Sequence, residues 1–133
     1  MLLPPQPHAH VVLVVEDDTI TREATEALLD AEGHAVLCAA TGAEALSLVH
    51  REPPPCIILL DLMMDGLSGQ AFRRAQLADR KVRDIPVILV SGISDLPRHA
   101  RELEAALYLP KPIDVARLVA AIPQLCTRTT AVA

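Results

Sequence analysis

The sequence predicts an α/β domain in which five strands alternate with five helices, a (βα)5 chain folded as one doubly wound parallel sheet. Five short apolar runs are separated by segments whose apolar residues recur at helical spacing. The apolar runs are continuous, which is typical of strands covered on both faces. A parallel sheet between two layers of helices accounts for both patterns. The length of 133 residues suits a single domain.

The first strand is predicted at Val11–Val15, a β-branched run, and the second at Ala35–Ala39. Between them, Asp18 or Thr19 caps a helix that Gly33 closes. Five apolar residues of this helix recur at helical spacing and are expected to face the sheet: Ile20, Ala24, Ala27, Leu28 and Ala31.

A capping box at Thr41 and Glu44 starts the second helix, which is expected to end near Arg51. The third strand is predicted at Cys56–Leu60, and it ends at Asp61.

The third helix is predicted from the cap Ser68 to about Arg80, followed by a fourth strand at Pro86–Val90. Asp95 is the predicted cap of the fourth helix, which has three apolar residues on one face: Leu96, Ala100 and Leu103. We expect three arginines to line a solvated helix face: Arg73, Arg74 and Arg80.

The fifth strand is short, Leu107–Leu109, and Asp114 caps the last helix. That helix is expected to end at Pro123, because proline lacks the N–H that continues a helix. Its apolar face is predicted from helical spacing: Val115, Leu118, Val119 and Ile122.

These elements place one domain at residues 11–123, between a disordered lead at residues 1–10 and a short tail at residues 124–133. The lead is rich in proline and contains His8 and His10, for which a solvated position is expected rather than a metal site. No apolar run approaches the roughly 18 residues that a membrane span needs.

Composition excludes several classes of function. The chain has a net charge of −5, one Phe, one Tyr and no Trp. A nucleic-acid partner is therefore not expected, because neither a basic patch nor a stacking surface is available. The three cysteines, Cys38, Cys56 and Cys126, lack CxxC spacing and indicate buried thiols in a reducing cytoplasm, with Cys56 in a structural role.

Polar residues follow four of the five predicted strands, at the sheet edge where α/β domains bind ligands. They are Glu16 and Asp17, then Asp61, Ser91 and Lys111. In a sheet of order 2-1-3-4-5, strands one and three are neighbours, so the three carboxylates form one cluster. Such a cluster either has raised pKa values or holds a cation, and oxygen ligands suit Mg²⁺.

Lys111 would then face an anion held by the metal, and Ser91 could donate a hydrogen bond to it. Together these residues predict a phosphoryl site with Asp61 as a possible nucleophile.

Four motifs in this order resemble the receiver domain of bacterial two-component response regulators. They are VVEDD at residues 14–18, LLDLMM at residues 59–64, VSG at residues 90–92 and YLPKP at residues 108–112. The resemblance covers about Val11 to Pro123 and implies the flavodoxin-like receiver fold.

The resemblance implies that Asp61 accepts a phosphoryl group from a sensor histidine kinase or a histidine phosphotransfer protein. It also implies a Mg²⁺ ion bound by Asp17, by Asp61 and by the backbone carbonyl of Met63, with Glu16 acting through water.

The resemblance further implies that Ser91 and Lys111 contact the phosphoryl group and that the Lys111–Pro112 bond is often cis. Tyr108 matches an aromatic switch residue, so a downstream protein would bind the face of helix four, strand five and helix five. No membrane partner is implied.

Two positions depart from the family pattern. Asp65 stands where a proline is usual, although the glycine that follows is matched by Gly69. The segment before the fifth strand, at residues 104–107, lacks its usual glycine, so the turn into that strand is expected to differ.

The leading hypothesis is a stand-alone phosphorylatable switch that is not an enzyme acting on metabolites. A receiver domain excised from a longer hybrid kinase or regulator is the alternative architecture. From another class, a Mg²⁺-dependent phosphatase with an aspartyl nucleophile would need a second acid two residues after Asp61, where this chain has Met63. A flavin-binding electron carrier is disfavoured, because the acidic residues 16–18 would repel the FMN phosphate.

Overall fold

The computed structural model describes residues 10–63 and 68–126. Its five parallel strands form one sheet of order β2-β1-β3-β4-β5, so the predicted fold class and strand order are confirmed. The strands are β1 Val11–Val15, β2 Ala35–Ala39, β3 Ile57–Asp61, β4 Val87–Ser91 and β5 Leu107–Pro110.

Helices cover both faces of the sheet. They are α1 Thr19–Ala31, α2 Gly42–Leu48, α3 Gly69–Leu77, α4 Leu96–Glu102 and α5 Val115–Leu125. One core cluster joins the sheet to α2, α3 and α4, and the other joins it to α1 and α5. Alternate residues along each strand enter the two clusters, as in β3, where Leu60 belongs to the first and Leu59 to the second.

Four of the predicted caps are present. The side chains of Asp18, Thr41, Ser68 and Asp114 accept hydrogen bonds from backbone N–H groups in the first turns of their helices. Glu44 completes the box at α2 by accepting from the N–H of Ala40, at 2.7 Å.

Asp95 is the cap residue of α4, as predicted, but its side chain makes no hydrogen bond to the first turn of the helix. Asp95 occupies the cap position with a left-handed backbone, φ 64°, and its carboxylate pairs with Arg98 at 2.8 Å.

Three predicted helix ends differ from the structure, and the first is that of α2, which ends at Leu48 and not near Arg51. Helix α5 continues through Pro123 to Leu125, because the proline removes only its own N–H and the next bond, from Cys126 N to Ile122 O, forms at 3.0 Å. Helix α3 ends at Leu77, short of the predicted Arg80, since the chain then turns to reach β4.

The predicted apolar face of α1 is wrong except at Leu28, which is partly buried and packs against the second core cluster. Ile20 is 80% exposed, and the alanines of that stripe are exposed as well, whereas Leu29 is fully buried. The inward side of α1 carries polar residues that are satisfied locally: the Thr25 hydroxyl donates to Thr21 O at 2.8 Å, and Arg22 donates to main-chain carbonyls. The same correction applies to Val115 of α5, which is 47% exposed.

Arg73 is buried, contrary to the expectation of a solvated arginine face. Its guanidinium donates to Leu103 O at 2.9 Å, to Glu104 O at 2.9 Å and to Gln76 Oε1 at 2.7 Å. The amide of Gln76, itself fully buried, donates to two carbonyls of the loop before β4. This network joins α3 to the C-terminal end of α4, where Glu104 adopts a left-handed φ of 54° in place of the usual glycine.

A second polar link joins the ends of α2 and α3 at the surface. His50 Nδ1 donates to the carbonyl of Leu46 at 2.9 Å, and His50 Nε2 pairs with Asp79 Oδ2 at 2.6 Å. The two bonds raise the pKa of His50, with the Leu46 carbonyl the larger cause, and the His50 ring lowers the pKa of Asp79.

Candidate functional site

Three carboxylates converge at the carboxyl edge of the sheet. Glu16 and Asp17 follow β1, and Asp61 ends β3, which is paired directly with β1. One oxygen from each lies within 4.8 Å of the others. Glu16 and Asp61 are buried, being 6% and 5% exposed, so their mutual repulsion is poorly screened by water.

Lys111 neutralises part of this charge. Its Nζ donates to Glu16 Oε1 at 2.8 Å and to Asp61 Oδ2 at 3.1 Å. A bond from Lys111 N to Ser91 O at 3.1 Å extends the pairing of β4 and β5 and sets the position of this side chain. The cis peptide bond between Lys111 and Pro112 agrees with the expectation from the resemblance.

The proximity of these charges shifts two pKa values. Burial raises the pKa of Glu16, and the Asp61 carboxylate raises it further, although Lys111 opposes both effects. Burial tends to lower the pKa of Lys111, but its bonds to the two carboxylates outweigh burial and raise it. The site therefore holds a firmly charged ammonium beside a carboxyl group that is costly to ionise.

The second oxygen of Asp61 is fixed by the main chain. Asp61 Oδ1 accepts from Met63 N at 3.0 Å, which orients the carboxylate towards the pocket. Gly69, at the start of α3, lies directly behind this residue: a Cβ at this position would be 2.5 Å from Asp61 O and 2.9 Å from Leu62 Cα. The close approach of two backbones holds the end of β3 against α3.

Arg22 is a site residue that the sequence reasoning missed. It donates from one turn inside α1 to Glu16 O at 2.9 Å and to Asp17 O at 3.4 Å, and so holds the acidic loop against the helix. The adjacent Asp18 N donates to Glu16 Oε2 at 3.2 Å, while the Asp18 side chain caps α1. An arginine four residues after a helix cap, next to an acidic loop, was the available signal.

Ser91 and Tyr108 lie behind this pocket on neighbouring strands. Ser91 is fully buried, and its Oγ accepts from Ile93 N at 3.2 Å. Tyr108 of β5 is paired with Leu89 of β4, and Pro110, two residues later, is paired with Ser91. Ser91 and Tyr108 therefore lie on the same face of the sheet. The Tyr108 side chain is 39% exposed.

One pocket gathers most of the predicted residues. It is lined by Glu16, Asp17, Asp18, Asp61, Met63, Gly92 and Lys111. Met63 is 59% exposed at its rim. The departure at Asp65 falls at residues 64–67, outside the described residues. An oxygen-rich pocket with one ammonium can hold a hard divalent cation together with an anionic oxygen group.

Comparison with known proteins identifies the family. A family model described as the response regulator receiver domain matches residues 12–123. The chain belongs to this family. Receiver domains are signalling modules of two-component systems and generally bind Mg²⁺ at an acidic pocket, and this chain has an acidic cluster at Glu16, Asp17 and Asp61.

Two regulators illustrate the relationship in sequence. The transcriptional regulatory protein CseB of Streptomyces coelicolor is 38% identical over 122 residues, covering 88% of this chain and 49% of CseB. The response regulator PleD of Caulobacter vibrioides is 37% identical over 116 residues, covering 86% of this chain and 25% of PleD. The chain thus spans about half, or less, of the length of these curated relatives.

Solved structures agree on the fold. A putative response regulator from Chloroflexus aurantiacus matches with a TM-score of 0.82 and 25% identity, over 91% of this chain and all of that one. The receiver domain of a histidine kinase from Syntrophus aciditrophicus matches with a TM-score of 0.80 and 27% identity, over 94% of this chain and 96% of that one. Within residues 10–63 and 68–126, the helices are too short or too polar to cross a membrane.

Proposed function

We propose that this receiver domain is switched by phosphorylation of Asp61. The observation that carries the proposal is the position of the Asp61 carboxylate, which lies at 3.1 Å from the Lys111 ammonium and in the same cluster as Glu16 and Asp17. A nucleophilic carboxylate, a cluster of metal ligands and a cation for the incoming phosphoryl oxygens are thereby assembled in one pocket.

The charge of the pocket supports Mg²⁺ as cofactor. Three ionised carboxylates and one ammonium leave a net charge of −2, which one divalent cation neutralises. We infer that Asp17, Asp61 and the Met63 carbonyl hold the ion directly and that Glu16 acts through water. The ion would supply charge neutralisation on the phosphoryl oxygens.

The phosphoryl donor would be the phosphohistidine of a histidine kinase or a phosphotransfer protein. A carboxylate oxygen of Asp61 forms a bond to phosphorus while the bond from phosphorus to the imidazole nitrogen breaks, and the leaving imidazole takes a proton from water. Lys111 exchanges its bond to Asp61 for one to a phosphoryl oxygen. Ser91 reaches the same group when its hydroxyl leaves Ile93 N.

This movement of Ser91 would reach a downstream protein through Tyr108. Tyr108 shares a sheet face with Ser91 and is half-exposed beside α4, so a shift of the hydroxyl frees space into which the ring can turn. The output surface is then formed by α4, β5 and α5. On addition of beryllofluoride and Mg²⁺, amide signals of this surface should move more than those of α1; changes confined to the loops of the pocket would contradict the switch.

The phosphoacceptor is tested by incubation with Mg²⁺ and acetyl phosphate, followed by intact-mass analysis. The wild type should gain one phosphoryl group and Asp61→Asn none, whereas Asp17→Asn should lose most of its Mg²⁺ affinity in an NMR titration. Asp114→Asn is the matched control, because asparagine is an equally good helix cap and Asp114 is not among the residues that line the pocket, so both properties should be unchanged. Equal phosphorylation of Asp61→Asn would refute the assignment.

The rival class, an aspartyl-nucleophile phosphatase, is tested with p-nitrophenyl phosphate. Such an enzyme needs an acid to protonate the leaving group, and the residue two after Asp61 is Met63, an exposed thioether that cannot donate a proton. We expect at most one phosphoryl group to be taken up per chain and no sustained turnover. Many turnovers per chain that Asp61→Asn abolishes would favour the phosphatase.

A further inference from the structure

Two cysteines lie together at the opposite end of the sheet from the acidic pocket. Cys56 precedes β3 and Cys126 follows α5, yet their sulfur atoms are 2.6 Å apart. Both side chains are buried, at 3% and 1% exposure. Non-bonded heavy atoms settle at about 3.5 Å or more, so the fold brings these sulfurs closer than two thiols pack against each other. We propose that Cys56 and Cys126 form an oxidation site that closes an intramolecular disulfide.

A metal site is the competing use of the same cluster. A ring nitrogen of His10 lies within 4.8 Å of both sulfurs, and His10 Nδ1 is buried with no hydrogen-bond partner among the described residues. Two thiolates on one tetrahedral zinc, each about 2.3 Å from the metal, are roughly 3.7 Å apart. The observed separation of 2.6 Å is much shorter, and it favours a bond between the sulfurs over a shared metal.

His10 also departs from its expected place in a solvated tail. It is half-buried, and its ring packs against the ring of His34 with the centroids 5.4 Å apart. His10 therefore lies beside the two sulfurs at the entry to β1.

Hydrogen peroxide is the class of oxidant that balances the reaction. One thiol attacks the O–O bond, which breaks to give a sulfenic acid and one water; the second thiol then attacks that sulfur, the S–O bond breaks and a second water leaves. Two thiols and one peroxide thus become one disulfide and two waters. The contact with Cys56, together with burial, raises the pKa of Cys126, so little thiolate is present and the reaction should be slow.

The bond would join positions that are 70 residues apart in the chain and fix the last turn of α5 to the start of β3. The proposal does not depend on phosphoryl chemistry, because these sulfurs and Asp61 lie at opposite ends of β3. Cys38 is half-buried in β2 and serves as an internal reference thiol.

The experiment uses the folded chain in a Cys38→Ser background, treated with hydrogen peroxide, quenched, denatured and assayed for thiols. We expect both remaining thiols to disappear, the peptides of Cys56 and Cys126 to be recovered joined, two hydrogen atoms lighter than their sum, and the chain to stay monomeric on a non-reducing gel. Oxygen added to the exposed thioether of Met63 is assigned separately by peptide mass. The oxidised protein should unfold at a higher urea concentration than the reduced protein, because the crosslink restricts the unfolded chain. In the wild type one thiol, that of Cys38, should remain.

The control adds Cys126→Ser to the same background, and there peroxide should only add oxygen atoms to Cys56. The proposal is overturned if the Cys38→Ser protein keeps both thiols, gains oxygen without losing hydrogen, or forms intermolecular dimers. It is also overturned if the reduced protein binds one zinc ion per chain and, once the zinc is chelated, still closes no disulfide. The thiol, mass and gel measurements on the Cys38→Ser protein use both native cysteines. They therefore test the proposal even where the control variant fails to fold.

Discussion

Replacing Arg73 with methionine should destabilise the domain, although this removes a charge from the interior. The guanidinium makes three hydrogen bonds, to Gln76 Oε1 at 2.7 Å and to the carbonyls of Leu103 and Glu104 at 2.9 Å. Methionine has a similar length and fills the space, but it supplies no donor. Two acceptors, those of Leu103 and Gln76, would be left buried, while the Glu104 carbonyl is near enough to the surface to find water.

The magnitude follows from these two acceptors. A buried unsatisfied acceptor costs about 1–3 kcal/mol, so the loss is roughly 2–6 kcal/mol. Burying a thioether side chain in place of a desolvated guanidinium offsets about 1–2 kcal/mol of this loss in the free energy of unfolding. These ranges span a net loss of about 0–5 kcal/mol, and we expect the free energy of unfolding of Arg73→Met to fall by about 2–4 kcal/mol within that span. Burial also lowers the pKa of Arg73, which agrees with a desolvated cation, although arginine stays protonated.

Urea denaturation followed by circular dichroism measures this change. With a slope of about 1.5 kcal/mol per molar urea, the midpoint should fall by roughly 1.5–2.5 M. Arg74→Met is the matched control, since the neighbouring arginine is exposed and should change stability by less than about 0.5 kcal/mol. Arg73→Lys keeps the charge but not the planar fork, and should fall between the two.

The reasoning fails if Arg73→Met and Arg74→Met unfold at the same urea concentration. That result would mean that removing the buried charge fully compensates for the orphaned carbonyls, as happens at some buried ion pairs. Faster amide exchange at the C-terminal end of α4 in Arg73→Met, and not in Arg74→Met, would show that the stability is lost at the hydrogen bonds of Arg73.

Two further predictions concern lifetime and pH. The phosphoryl group on Asp61 should be long-lived, because the residues two after Asp61 and two after Ser91 are the apolar Met63 and Ile93. After removal of the phosphoryl donor, Met63→Asn and Ile93→Glu should lose phosphate roughly 10–100 times faster than the wild type. Unchanged decay in these variants would show that apolar shielding does not set the lifetime. His50 should titrate by NMR above the ordinary histidine value of 6.5. Since its pKa is raised on folding, its contribution to stability is present below that value and is lost as the pH rises through the raised pKa. Asp79→Asn should lower the His50 pKa part of the way and leave the bond to the Leu46 carbonyl; an unchanged pKa would rule out the pair.

The five strands and the polar residues that follow them could be predicted from sequence because both depend on short-range patterns, and the strand order followed from the doubly wound fold class that these patterns indicate. Continuous apolar runs mark strands covered on two sides, and the residue that follows each run lies at the carboxyl edge of the sheet by necessity. Asp61 and Lys111, 50 residues apart, could thus be expected in one pocket before any distance was known. Their roles in phosphoryl transfer remain predictions.

Helix faces were harder to predict, because a polar residue can be buried when its partners are main-chain atoms. Arg73 and Arg22 donate to carbonyls, which no pattern of side chains reveals. The alanine stripe of α1 has the spacing of a buried face, but the wider side chain of Leu29 fills the space against the sheet instead. The proximity of Cys56 and Cys126 depends on tertiary structure across 70 residues and has no local signal.

The contact between Gly69 and the main chain of Asp61 limits how this domain can change in evolution or in the laboratory. Alanine in the first turn of a helix usually adds up to about 1 kcal/mol of stability relative to glycine. At position 69 this gain in stability is not available, because the methyl group of alanine would be 2.5 Å from Asp61 O. The third helix thus stays weaker than its sequence could make it, and stabilising substitutions must be sought elsewhere, on its exposed side. The close packing of Gly69 against Asp61 therefore lowers the local stability of α3.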